Sequence, residues 1–177
     1  MPANPRKEIM LIKVYGSSTK RMKALVRDAV KHAAANFFDK RILENLEISV
    51  KFDAKLMAET GDVAQMEWID NHLRGRVFNI SIDKNINSFL KIVCVMHEMV
   101  HVKQYAKGEL FQSLKECNLH KWNRKEWVDD EKVPYWDLPW EIEAHGREKG
   151  LMLSWMSATD LLSDKEKQDW RAKFMFP

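Results

Sequence analysis

One apolar run near the middle of the chain constrains the fold most, because it carries polar side chains that an apolar helix does not bury without partners. The run covers residues 89–102 and is apolar nearly all the way round, which is typical of a buried helix. Within it lies His97-Glu98-Met99-Val100-His101. Two histidines and a glutamate are costly to bury alone, and a metal ion would give them a partner.

The spacing of this pentad favours zinc. Four residues advance an α-helix by about 40° around its axis, so His97 and His101 point to the same side and can hold one ion. Glu98 lies about 100° from His97, within reach of a water on that ion. Zinc lowers the pKa of such a water and a carboxylate can take its proton, which predicts Glu98 as a general base. The alternative is an incidental pair of histidines, exposed or satisfied by hydrogen bonds in the core.

Patterns on both sides of the pentad predict an α+β fold. Runs with alternating or continuous apolar residues predict four strands, at residues 8–15, 46–52, 63–69 and 76–83. A helix capped by Ser17 or Ser18 runs to about Phe38, and residues 85–88 open the pentad helix. We therefore expect a small mixed sheet of about four strands packed on these two helices, followed by a mostly helical C-terminal part.

The length of 177 residues predicts a single domain. Residues 1–7 form a loose tail, and residues 8–106 form the sheet and the pentad helix. A tryptophan-rich stretch without clean periodicity, residues 109–137, predicts an irregular loop or lid beside a cleft. Residues 138–177 form the helical part, whose last helix starts with a capping box at 163–166.

Catalytic zinc needs a third protein ligand that leaves one coordination position open. A helix predicted to start after Asp137, as its cap, offers two carboxylates. Glu141 and Glu143 lie about 200° apart on such a helix, so only one of them can face the metal. His145 and His120 are further alternatives.

The element order, ending in the pentad helix, resembles the zincin metallopeptidase fold. Gln104 and Lys107 stand where the extended metzincin pattern would have glycine and histidine, which excludes that class. In gluzincins the ligand glutamate commonly precedes alanine, and Glu143-Ala144 matches that pattern. The segments H-E-M-V-H-V-K-Q-Y and P-W-E-I-E-A together are similar to small proteins of bacteriophage genomes that are taken for zinc metallopeptidases.

The resemblance implies a zinc-dependent metallopeptidase acting on peptide or protein substrates. It implies zinc held by His97, His101 and Glu143. In zincins the strand before the pentad helix often forms the sheet edge that lines the cleft, so residues 76–83 would bind substrate backbone by strand addition. An additional oxyanion donor is expected, for which Tyr135 and His145 are the nearest candidates.

Two other functions are compatible with the sequence. One is a zincin-like binding or assembly protein of a phage with little turnover, although a structural zinc site would not need Glu98. The other is nucleic-acid binding through basic residues of the first helix and the tryptophan-rich stretch. The formal net charge of +3 does not favour it, because nucleic-acid-binding proteins carry a clustered basic face.

The sequence also predicts a cytoplasmic protein, in the host cytoplasm if it is phage-encoded. Cys94 and Cys117 do not make a disulfide framework, which indicates a reducing compartment. The N-terminus lacks the apolar core of a signal peptide, and no apolar run reaches membrane-spanning length.

Overall fold

The computed structural model describes residues 10–175. Its elements in chain order are β1 (Leu11–Gly16), α1 (Lys20–Phe37), α2 (Lys40–Leu43), β2 (Glu47–Asp53), α3 (Leu56–Thr60), β3 (Ala64–Trp68), β4 (Val77–Asp83), α4 (Ser88–Lys107), β5 (Leu110–Gln112), β6 (Leu119–Trp122), β7 (Glu126–Asp129), a 3₁₀ turn (Tyr135–Asp137), α5 (Pro139–Ala158) and α6 (Asp164–Met175). The predicted α+β class is confirmed. The predicted tail and the first residues of the predicted first strand lie outside the described residues.

Four strands form a mixed sheet in the order β1-β2-β4-β3. β1, β2 and β4 are parallel, and β3 runs antiparallel to β4. All four strands coincide closely with the predicted ones, and the small mixed sheet is confirmed. The predicted position of β4 at the edge is wrong, because β4 pairs with β2 on one side and β3 on the other. The edge strand beside α4 is β3.

Helix α4 packs against the sheet on one side and against α1 and α5 on the others. The Asn87 side chain caps its start by accepting a hydrogen bond from the Leu90 amide at 2.9 Å. Gly108, in the left-handed conformation at φ 67°, ends it. Its buried residues lie all round the axis, so the prediction of a buried helix is confirmed.

Two predicted helix starts differ in detail. Thr19, and not Ser17 or Ser18, caps α1, because its hydroxyl accepts from the backbone amide three residues on. Asp137 does not cap α5. It belongs to the 3₁₀ turn before the helix, and Leu138 takes the capping position without a side-chain hydrogen bond.

The C-terminal part is helical, as predicted. The capping box of α6 is present: the Glu166 amide donates to the Ser163 hydroxyl, and the Ser163 amide donates to the Glu166 carboxylate. Aromatic contacts of Phe89 with Trp170 and Phe174 hold α6 against α4. No helix within residues 10–175 has the length and apolar character to span a membrane.

The stretch predicted to be irregular contains a three-stranded antiparallel sheet, in the order β5-β6-β7. Strands of three or four residues are too short to leave a readable alternation, which is why the pattern missed them. The register pairs Leu110 with Trp122 and Gln112 with His120, so these side chains share one face. That face turns towards α4 and α5.

Candidate metal centre

A cleft of about 620 Å³ opens between β3, α4, the small sheet and the start of α5. Its lining contains His97, Glu98 and His101 from α4, all of β3, Tyr135 from the 3₁₀ turn and Glu141 from the first turn of α5. The pentad therefore lies in a cavity large enough to admit a ligand.

Three side chains converge on one point of this cleft. The Nε2 atoms of His97 and His101 are 3.1 Å apart. The carboxylate of Glu141 places one oxygen 3.3 Å from the first and the other oxygen 3.4 Å from the second. Ligand atoms around a tetrahedral zinc with bonds of 2.0–2.1 Å are about 3.3 Å apart. The spacing of the three groups therefore fits a zinc ion.

Gln104 fixes the proton of His101. Its amide nitrogen donates to the Trp140 carbonyl at 2.9 Å and to Glu143 at 3.1 Å, so its oxygen faces His101 Nδ1 at 2.9 Å. Nδ1 must then carry the imidazole proton. In the neutral imidazole the Nε2 atom then keeps its lone pair towards Glu141, as a metal ligand requires.

Glu148 fixes the proton of His97 on Nδ1 in the same way. Its carboxylate accepts a hydrogen bond from His97 Nδ1 at 2.8 Å. In their neutral forms, both imidazoles therefore present the lone pairs of their Nε2 atoms to one another and to the Glu141 carboxylate. Two nitrogens 3.1 Å apart cannot both carry protons without close repulsion between them, whereas one cation satisfies both nitrogens and the carboxylate.

The electrostatics of the cluster favour positive charge. Burial lowers the pKa of His97, but hydrogen bonds to Glu141 and Glu148 outweigh burial and raise that pKa to about 10. Burial lowers the pKa of His101, but the hydrogen bond to Glu141 outweighs burial, so the pKa is raised above its ordinary value. Burial alone would raise the pKa of Glu141. The hydrogen bonds to the two imidazoles outweigh burial and hold that pKa below its usual range. A divalent cation would replace the protons that this site attracts.

Glu98 faces the cleft without belonging to the cluster. It is buried, and among the described residues no group hydrogen-bonds its carboxylate. Burial raises the pKa of Glu98, against the attraction of His97 and His101. The structure therefore leaves a carboxylate of raised basicity beside the imidazole pair, with its oxygens available to a ligand.

The structure does not place Glu143 with the histidines, which corrects the predicted register of α5. The Glu143 carboxylate accepts from Lys103 at 2.5 Å, from Gln104 and from Arg147 at 2.7 Å. Burial raises its pKa, and these donors lower it below the ordinary value. Glu141, the alternative of the sequence analysis, occupies the position beside the imidazoles.

Tyr135 and His145 both lie beside the cluster. The Tyr135 hydroxyl donates to Glu141 at 2.8 Å and lies 3.3 Å from His145 Nε2. Ligand atoms of His97, Glu141 and His145 all lie within 4.8 Å of one another, so His145 is a further candidate ligand. His120 lines the cleft but packs on Trp140, away from this group.

The roles of Gln104 and Glu148 were not predicted from the sequence. Helical spacing could have found them. Gln104 follows His101 by three residues, and Glu148 follows Glu141 by seven, with His145 between them at four. The positions i, i+4 and i+7 share one helix face, which also would have favoured Glu141 over Glu143.

Comparison with known proteins gives no match. No family model, no curated protein and no solved structure is significantly similar to the chain. The function must therefore be argued from the site itself.

The third ligand can be tested with two matched variants. Glu141→Gln should abolish stoichiometric zinc binding, because it removes the charge of the carboxylate whose two oxygens face the two imidazoles. Glu143→Gln should keep about one zinc per chain, with an affinity loss no larger than the 10–100-fold typical of outer partners. Isothermal titration with zinc and metal analysis of the folded variants give both values. Loss of zinc from Glu143→Gln, with zinc binding by Glu141→Gln unaffected, would instead identify Glu143 as the third ligand.

Proposed function

We propose that the protein is a zincin-like, zinc-dependent peptidase in which His97, His101 and Glu141 hold the metal. The observation that supports this most is the convergence of the ligand atoms of three side chains at 3.1–3.4 Å, with the Nδ1 atoms of both imidazoles directed outward to Gln104 and Glu148. Three protein ligands leave one tetrahedral position for water or substrate, which distinguishes a catalytic site from a structural one.

A zinc ion bound here supplies Lewis acidity, which lowers the pKa of a water molecule and polarises a substrate carbonyl. Glu98 acts as the general base. Its carboxylate borders the cleft beside the two histidines, and burial raises its pKa towards the range in which a base works at neutral pH. After accepting a proton, Glu98 can deliver it to the leaving amine nitrogen.

Tyr135 is suited to stabilise the developing oxyanion. Its hydroxyl lies at the cluster and at the cleft wall. Burial and the neighbouring Glu141 carboxylate raise its pKa, so the hydroxyl keeps its proton and remains a donor at neutral pH.

The edge strand β3 is suited to bind the substrate backbone. The Asp83 amide donates a backbone hydrogen bond to the Val63 carbonyl, and the Ile69 amide donates one to the Val77 carbonyl. In an antiparallel pair, every second residue between such positions turns its amide and carbonyl away from the neighbouring strand. The outward residues are Ala64, Met66 and Trp68. All three line the cleft, so an extended peptide can add to β3 as a further strand across the catalytic group.

Replacement of the base separates catalysis from binding. Glu98→Gln should keep zinc and fold normally, because Glu98 is not a ligand and the side chain keeps its size. Hydrolysis should fall by roughly 10²–10⁴-fold, the factor typical of general-base catalysis. The measurement is cleavage of a peptide library followed by mass spectrometry.

The controls are the wild type with and without chelator. Equal cleavage by wild type and Glu98→Gln would remove Glu98 from the mechanism. A wild type that holds zinc and cuts nothing across a broad library would support the binding or assembly function instead.

Substitution on β3 tests strand addition. Met66→Pro removes one outward amide donor and no β3–β4 ladder bond, and proline is tolerated on a sheet edge. We expect Met66→Pro to lower kcat/KM by about tenfold, the effect of one lost hydrogen bond to substrate of about 1.4 kcal/mol. Met66→Ala, which keeps the amide, is the control for the side chain. Equal rates for the proline and alanine variants, both folded and zinc-loaded, would refute binding along β3.

A further inference from the structure

The face of the small sheet that turns away from the cleft carries a second candidate binding site. Phe111, Lys121 and Trp127 lie side by side there, since the register pairs Lys121 with each of the other two. With Leu73, Arg74 and Arg124 they border a groove of about 430 Å³, here called the outer groove. The cleft and the outer groove thus lie on opposite faces of one sheet.

The floor of the outer groove is apolar, and two of its side chains are largely open to solvent. Leu73 is 71% exposed and Trp127 is 51% exposed. Adjacent exposed apolar groups of this kind mark a surface that binds something, since scattered single ones are the norm on a protein. Phe111 extends the floor inward to Trp68 of the cleft, at 5.6 Å between ring centroids.

The rim of the outer groove is basic. Arg74, Lys121 and Arg124 border it, and no acidic side chain of the described part of the chain does. Within residues 10–175 none of the three cations forms an ion pair. Arg124 is held in place, because its guanidinium donates to the carbonyls of Lys107 and Gly108 at the end of α4.

We propose that the outer groove binds an acidic polypeptide segment through an apolar side chain flanked by carboxylates. The apolar side chain would lie on Leu73, Phe111 and Trp127, and the carboxylates would pair with the three cations of the rim. This binding does not depend on hydrolysis in the cleft. It holds whether or not the protein is a peptidase.

Single-stranded nucleic acid is the other polyanion that basic and aromatic side chains bind, by stacking of bases on open rings. The ring of Trp127 is already contacted by the Lys121 ammonium, at 5.6 Å from the centroid, and by Phe111 edge-on at 6.4 Å. A ring with these two neighbours is a poor stacking platform. The geometry therefore favours an acidic peptide.

The test is fluorescence anisotropy with the full-length Glu98→Gln protein, which binds without cutting. The main probe is a glutamate-rich peptide with one central leucine. Two control peptides replace its glutamates by lysine or its leucine by alanine, and oligothymidine represents single-stranded nucleic acid. We expect the glutamate–leucine peptide to bind most tightly, and its affinity to fall with added salt. Arg74→Glu with Lys121→Glu should weaken it by about tenfold or more.

Lys20→Glu with Lys31→Glu, on exposed positions of α1, changes the net charge equally and is the matched control. The control pair should leave the affinity unchanged. If the reversed pair fails to fold by circular dichroism, Arg74→Gln with Lys121→Gln takes its place, with a loss in the same direction.

Several results would overturn the proposal. If Lys20→Glu with Lys31→Glu weakened peptide binding as much as the groove variants, the peptide would be attracted by the net charge of the protein and not by the outer groove. Full binding by the groove variants would place the peptide elsewhere, for example in the cleft. Tighter binding of oligothymidine, lost with the groove variants, would make the outer groove a nucleic-acid site. Absence of binding by the glutamate–leucine peptide would also refute it.

Discussion

The contact between α4 and α5 is made through polar side chains that neither helix could bury alone. One layer joins His97 and His101 to Glu141 and Glu148. The next layer joins Lys103 and Gln104 to Glu143. Removing one partner of a buried ion pair typically costs about 3–5 kcal/mol, because the other charge is left without compensation. The two layers therefore fix the register of the helices, and every other feature of the candidate site depends on that register.

Gln104 links the two layers. It accepts from His101 in the first and donates to Glu143 in the second. The ion pair of Glu143 thereby orients an imidazole that it does not touch. This explains how Glu143, two residues after the proposed ligand Glu141, can influence the site without contacting a metal. It also explains why Glu141 and Glu143, two residues apart on α5, have separate roles, since each meets a different pair of α4 side chains.

Much of the fold could be predicted because its signals are local. Alternation along short strands predicted β2 and β4, and the four-residue spacing of His97 and His101 placed both imidazoles on one side of α4. The choice between Glu141 and Glu143 could not be made this way. It depends on how α5 lies against α4, and that packing involves partners far apart in the chain, such as Lys103 and Glu143, which are 40 positions apart. The position of β3 at the edge likewise depends on pairing between strands and not on the pattern within one.

The small sheet shows the same limit. Its strands are too short for a periodic signal, yet they separate the cleft from the outer groove. His120 and Gln112 face the cleft, while Phe111 and Lys121 face outward. A single change of register would exchange the two sets, since neighbouring residues of a strand point to opposite faces. The tryptophan-rich composition of this stretch indicated a wall beside a cleft, and the alternation gives that wall a second, basic surface.

The central claim is that His97, His101 and Glu141 hold one zinc ion, and anomalous diffraction tests it most directly. Crystals grown with zinc would be measured above and below the zinc absorption edge. We expect one strong difference peak in contact with His97 Nε2, His101 Nε2 and a carboxylate oxygen of Glu141, with Glu98 close by but not bound. Absence of a peak in the cleft, or a peak bound by other side chains while Glu141 stays apart, would contradict the account.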